Sequence, residues 1–295
     1  MRTATRHPMV TVQRSVVLFG ILLALGNLPG AASDAETFGE LLRRADAAFS
    51  ERYVEERMLE AIDLFEIALD RVDPEALGDQ AFILNRLAQL CYEATTFSPG
   101  NTKEDWTLFE RGREYGLRSL RLDPGFAREE SEGFVEALSH VDDIAALLWT
   151  ADNWGGLSGM NPIEGMLNLG KVRALYERGL ALDETYWGAS PHNALGAMLV
   201  VTPAALGGDP DAGIAHLERA VELAPDYLIN RVVRAQYLGF DYDLFGRISG
   251  VRDAAFLESE LNAVLAEPIG SWSFWNREAI KEAEALLERL EELRS

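Results

Sequence analysis

The chain has a single cysteine, Cys91, so no intramolecular disulfide can form. Cys91 lies between Leu90 and Tyr92 in an apolar helical pattern, where it reads as a small buried apolar residue rather than a nucleophile. There are four histidines, and none has a cysteine or second histidine at zinc-ligand spacing, so no metal site and no cofactor are expected. Basic residues are scarce: 27 Lys and Arg face 48 Asp and Glu, for a net charge of −21. Such a chain does not bind nucleic acid, or settle on anionic lipid, by charge. Alternating strand patterns of useful length are missing. So is any Ser/His/Asp or Cys/His arrangement, which points away from an enzyme. Gly155-Gly156 and Gly207-Gly208 do not follow strands, so they mark chain reversals rather than phosphate loops.

One apolar run stands out, Val16 to Leu25. It is about half the length that a membrane-spanning helix needs, roughly 20 residues. Arg2, Arg6 and Arg14 precede it, and Gly30-Ala31-Ala32-Ser33 follows. This is the pattern of a secretory signal peptide over residues 1–32, with a mature chain of 33–295 exported to the periplasm. Removing the three arginines takes the net charge from −21 to −24. No cysteine stands at the cleavage site, so lipid attachment there is not expected.

The rest reads as all-α: a degenerate tetratricopeptide-like array of helix pairs (an α-solenoid) in one domain, with about eleven helices. Ser33-Asp34-Ala-Glu36 predicts a capping box for the first helix. Asn161-Pro162, Ser190-Pro191 and Asp209-Pro210 each predict a helix start, with a capping side chain before a proline. The fifth helix is expected to run from Phe134 through Val141 to Leu148. Asp241, Asp243, Gly246 and Gly250 predict a loop. Four helix ends align: Ala68 to Pro74, Ser119 to Pro124, Gly179 to Glu184 and Ala220 to Pro225. A small residue, spaced apolar positions, then proline or an acid is how the second helix of a tetratricopeptide unit ends. Their endpoints lie 50, 60 and 41 residues apart, against about 34 for regular repeats. The repeats therefore carry insertions.

Aromatic residues concentrate between Trp149 and Trp187. Trp149, Trp154 and Trp187 admit two readings, core packing or the wall of an apolar cleft. Asn153 neighbours them. His192 and Asn193 open the helix after Ser190, either as packed polar residues or as hydrogen-bonding groups facing the cleft. His140 with Asp142 and Asp143 reads as an exposed helix face more readily than as a cation site.

The central stretch resembles the T-component of TRAP transporters. The matching features are Asn153-Trp154-Gly155, the helix end from Arg178 to Glu184, Gly188-Ala-x-x-His192, Gly207-Gly208-Asp209-Pro210 and His216-Leu-Glu-Arg-Ala220. A Phe256-x4-Leu261-x2-Val264-Leu265 pattern also fits. The resemblance implies an all-helical protomer that assembles as a homotrimer. It implies a non-enzymatic accessory role beside the transporter's solute-binding protein (P-component), with an apolar cleft or pore for a small apolar or organic-acid ligand. Its members often carry a lipid anchor, for which this sequence shows no cysteine. The rival reading is a general cell-envelope scaffold that binds other proteins through its concave face.

Overall fold

The computed structural model describes residues 36–243 and 246–295. The signal-peptide expectation and the capping box at Ser33 fall outside those residues. The first helix in view, α1 (Phe38–Ser50), has its own capping box. Thr37 accepts from the Glu40 amide, and Glu40 accepts from the Thr37 amide. Next come α2 (Glu55–Arg71), α3 (Leu77–Ala94) and α4 (Lys103–Leu120). Two short helices follow, α5 (Pro124–Glu129) and α6 (Phe134–Ala137). They fill the long interval between the second and third aligned helix ends. Then α7 (Ile144–Met160) and α8 (Pro162–Leu182) pair, as do α9 (Tyr186–Val201) and α10 (Pro210–Leu223). The chain closes with α11 (Ile229–Gly239), strands β1 (Phe240–Tyr242) and β2 (Ile248–Val251), α12 (Ala254–Leu265) and α13 (Trp275–Arg294).

Thirteen α-helices are thus present among the described residues, and the array is all-α apart from one hairpin. That hairpin corrects the loop expected around Asp241. Phe240 pairs with Val251 and Asp241 with Gly250, antiparallel. Four residues per strand or fewer give too little alternation to be seen in sequence. The expected fifth helix is also three elements: α6, a 3-10 turn (Leu138–His140) and α7. Asp143 takes an extended backbone and caps α7 by accepting from the Ala146 amide. A side chain that satisfies an orphan amide of the next helix ends the preceding one.

Proline starts work as expected at two of three sites. Asn161 Oδ1 accepts from the Ile163 and Glu164 amides, and Asp209 Oδ1 from the Ala212 amide. Asp123-Pro124 uses the same device to start α5. Ser190-Pro191 does not. Ser190 donates its hydroxyl back to the Trp187 carbonyl at 2.7 Å and caps nothing. The turn before it is left-handed across Trp187, Gly188 and Ala189, with φ of 48°, 66° and 61°.

Pairing is close where glycine permits it. A Cβ on Gly196 of α9 would meet the Gly213 carbonyl of α10 at 2.9 Å, and one on Gly213 would meet the Gly196 carbonyl at 2.8 Å. Three apolar cores result. One lies within α1–α3 around Phe65 and Met58, a second around α7 and α8, and a third among α11–α13. Cys91 is fully buried. Phe274, just before α13, sits in the first core, and Trp275 donates its indole N–H to Glu93 of α3 at 2.9 Å. The last helix therefore returns to the N-terminal helices, and the array closes on itself.

Candidate functional site

Beside that closure lies an open-mouthed cavity of about 670 Å³. Helix α7 supplies its floor. Trp149, Asp152, Gly155 and Gly159 recur three or four apart, on one face of the helix. The two glycines leave room: a Cβ on Gly155 would come no nearer than 3.8 Å to the Tyr176 hydroxyl, and Gly159 faces open space. Tyr92 of α3, Tyr176 of α8, Trp187, Tyr227 and Trp275 complete the aromatic lining. The rings touch in sequence. Tyr92 meets Trp149 and Trp275, Trp149 meets Trp187 at 5.4 Å edge to face, and Trp187 meets Trp272 at 5.8 Å. The two edge-to-face contacts use the ring quadrupole. Met166, Leu169, Met198 and Val201 make the remaining wall aliphatic.

The left-handed turn positions Trp187. Non-glycine residues in this conformation cost about 1–2 kcal/mol each, so surrounding contacts must hold Trp187 and Ala189 there. Asn230 donates to the Gly188 carbonyl at 2.8 Å, and Ser190 grips that of Trp187. Gly188 is also pressed against Tyr227, where an added Cβ would lie 2.3 Å from the ring.

Among the described residues, the one acidic side chain in the lining is Asp152. Tyr176 donates to its Oδ1 at 2.7 Å, and Oδ2 has no hydrogen-bond partner among the described residues. Burial pushes the carboxyl up to about 7, against the Tyr176 hydrogen bond; nearby Glu93 adds to the rise. The same burial and the Asp152 charge push the Tyr176 phenol well above its usual value. No lysine, arginine or histidine lines the cavity among the described residues.

The six residues singled out from the sequence divide. Trp149, Trp187 and Asn193 line the cavity. Trp154 lies on another face of α7, 6% exposed, with its ring edge-on to Phe134 and with Lys171 and Arg113 over it. Asn153 is fully buried and donates to the Ala88 and Trp149 carbonyls. His192 turns away to a cluster of its own. Its Nδ1 meets His216 Nδ1 at 2.8 Å and its Nε2 meets Glu184 at 3.1 Å, while Arg219 bridges to Glu184. Asp152, Tyr92, Tyr176, Tyr227 and Trp275 were not foreseen. The i, i+3 spacing from Trp149 to Asp152 was the one local signal for any of them. His140, Asp142 and Asp143 are separately engaged, with Glu129, Arg178 and Asn85.

Beside the cavity, the first turns of α8 expose Ile163, Met166 and Leu167, which are 72%, 65% and 75% accessible. Met166 and Leu206 belong to both the exposed patch and the cavity lining, so the two are continuous. No helix among the described residues is long and apolar enough to cross a membrane.

No curated protein matches the chain. The profile of the TRAP transporter T-component family matches residues 101–293. That range holds every cavity-lining residue but Tyr92. With well over half of the sequence matched, on an all-helical array, this chain is a member of the TRAP transporter T-component family.

Proposed function

We propose that the protein is a periplasmic, non-enzymatic accessory of a TRAP-type uptake system, which docks the solute-binding protein and holds its ligand in the cavity. Family membership supports the association with a TRAP system. The observation that carries the rest is the aromatic-walled cavity, continuous with an exposed apolar helix face. A concavity of this kind, with few polar groups, suits a small organic ligand bound by mainly apolar contact. Exposed contiguous apolar residues mark interaction surfaces. Ile163, Met166 and Leu167 form the docking surface in this reading, which brings the partner's ligand to the mouth. The protomer works as a homotrimer, as the family resemblance implies.

The test is co-purification of the full chain with the TRAP solute-binding protein encoded beside it. Wild type is expected to retain the partner, and Ile163→Glu with Leu167→Glu to lose it. Retention by that double variant would remove the docking surface. Failure of wild type to bind, with capture of unrelated envelope proteins, would favour the general scaffold.

A further inference from the structure

The cavity's polar content is lopsided. It has one carboxyl, several hydroxyls and amides, and no basic side chain among the described residues. Two cations of α8 are committed elsewhere. Arg173 pairs with Glu177 and the Gly207 carbonyl, and Lys171 lies over Phe134 and Trp154, on a side that does not face the cavity. The chain as a whole carries −21. An anionic ligand entering here would lose its water and meet no compensating charge, which is costly in a buried site.

The same arrangement is complementary to a cation. Asp152 presents an unpaired oxygen, and the rings of Trp149, Tyr176, Trp187 and Tyr227 line the same cavity. Aromatic faces attract a cation through the ring quadrupole, most strongly when water is excluded. A bulky ammonium head, weakly hydrated and apolar at its surface, gains from both features.

We infer that the cavity takes an organic ammonium ion, its head held between Asp152 and the aromatic rings and its apolar remainder along the wall of Met166, Leu169 and Met198. This rests on the reading of the cavity as a holding site and gives that site a ligand class. Burial, which holds the Asp152 carboxyl up at about 7, leaves a group that a positive partner would satisfy. Binding would draw it toward the ionised form.

The experiment titrates the full chain by calorimetry and tryptophan emission with three probes. Butyrylcholine is the cation, 3,3-dimethylbutyl butyrate its uncharged carbon isostere, and octanoate the anion. Butyrylcholine is expected to bind at least about tenfold more tightly than the neutral ester, and octanoate to give no signal. Asp152→Asn should cut that preference several-fold, leaving what the rings supply, while the neutral ester binds as before. Equal binding of cation and ester by wild type overturns the inference and leaves the cavity a holding site. So does a preference that is undiminished in Asp152→Asn. No binding by any probe overturns both readings. The wild-type ranking decides the matter even if Asp152→Asn misfolds, and Asp152→Ser provides a second neutral variant.

Discussion

Two carboxylates, Glu93 fully buried and Asp152 half-buried, mark two differently built regions. Glu93, in the N-terminal helices, is saturated with donors: Arg52 through two nitrogens, Gln89 at 2.9 Å and Trp275 at 2.9 Å. Around it, Phe65, Met58, Leu87 and Leu90 pack without exposure. Asp152, on the cavity floor, has one donor. Around it stand large rings, a strained turn and about 670 Å³ of space. A permanent structural charge must be fully partnered, because an unmet buried charge costs more than the pair returns. A charge left partly unmet beside free aromatic surface belongs to a region that is completed by something else. The N-terminal helices are built to be full, and the centre is built to be filled.

Truncation should separate the regions most sharply. Phe65→Ala should lower stability by about 3–5 kcal/mol, read by denaturant or thermal melting. Trp154→Ala belongs with it, since Trp154 is buried against Phe134 rather than the cavity. A Trp154 variant with an unchanged melting point would move the boundary between the regions.

The left-handed turn comes next. Gly188→Ala would drive a methyl into Tyr227 at a positive φ, which should cost about 1–3 kcal/mol and displace Trp187. Melting and ligand titration check this together. Full binding at reduced stability would show that the turn serves packing alone.

Asp152→Asn sharpens the contrast through pH. The native carboxyl sits at about 7 against a usual 3.8, so the native state favours the protonated form. Its contribution is intact below the usual value and is lost as pH rises toward about 7. The amide keeps an acceptor for Tyr176 and never ionises. Its melting point should therefore exceed wild type more at about pH 8 than at about pH 5. Tyr176 and Glu93 are the groups that bear on Asp152 in this comparison. A gain independent of pH would contradict the desolvated carboxylate. The smallest stability effect belongs to Ile163→Glu with Leu167→Glu. These exposed residues can be charged with little change in melting point while partner capture is lost.

The helices were largely legible because apolar spacing and proline-marked starts are local signals. Asn161 and Asp209 cap as their sequences imply. Ser190 does not, because Trp187 and its neighbours are held left-handed by Asn230 and Tyr227, which lie some forty residues away in the chain. Trp149, Trp187 and Asn193 reach the cavity from neighbouring helices of the array. His192, one position from Asn193, faces the other side of the same helix. Tyr227 reaches the site through its long-range contact with Gly188, and Trp275 arrives only when α13 returns to α3. No local pattern encodes that closure, so half the site could not be read from spacing.

The central claim is that the aromatic ring of the cavity binds rather than packs. Trp187→Ala tests it most directly, by melting and by the tryptophan-emission response to the ligand-loaded solute-binding protein. The account predicts a folded variant with a much smaller loss of melting point than Phe65→Ala and no response. A variant destabilised as far as Phe65→Ala, yet responding fully when kept cold, would contradict it and return Trp187 to the core.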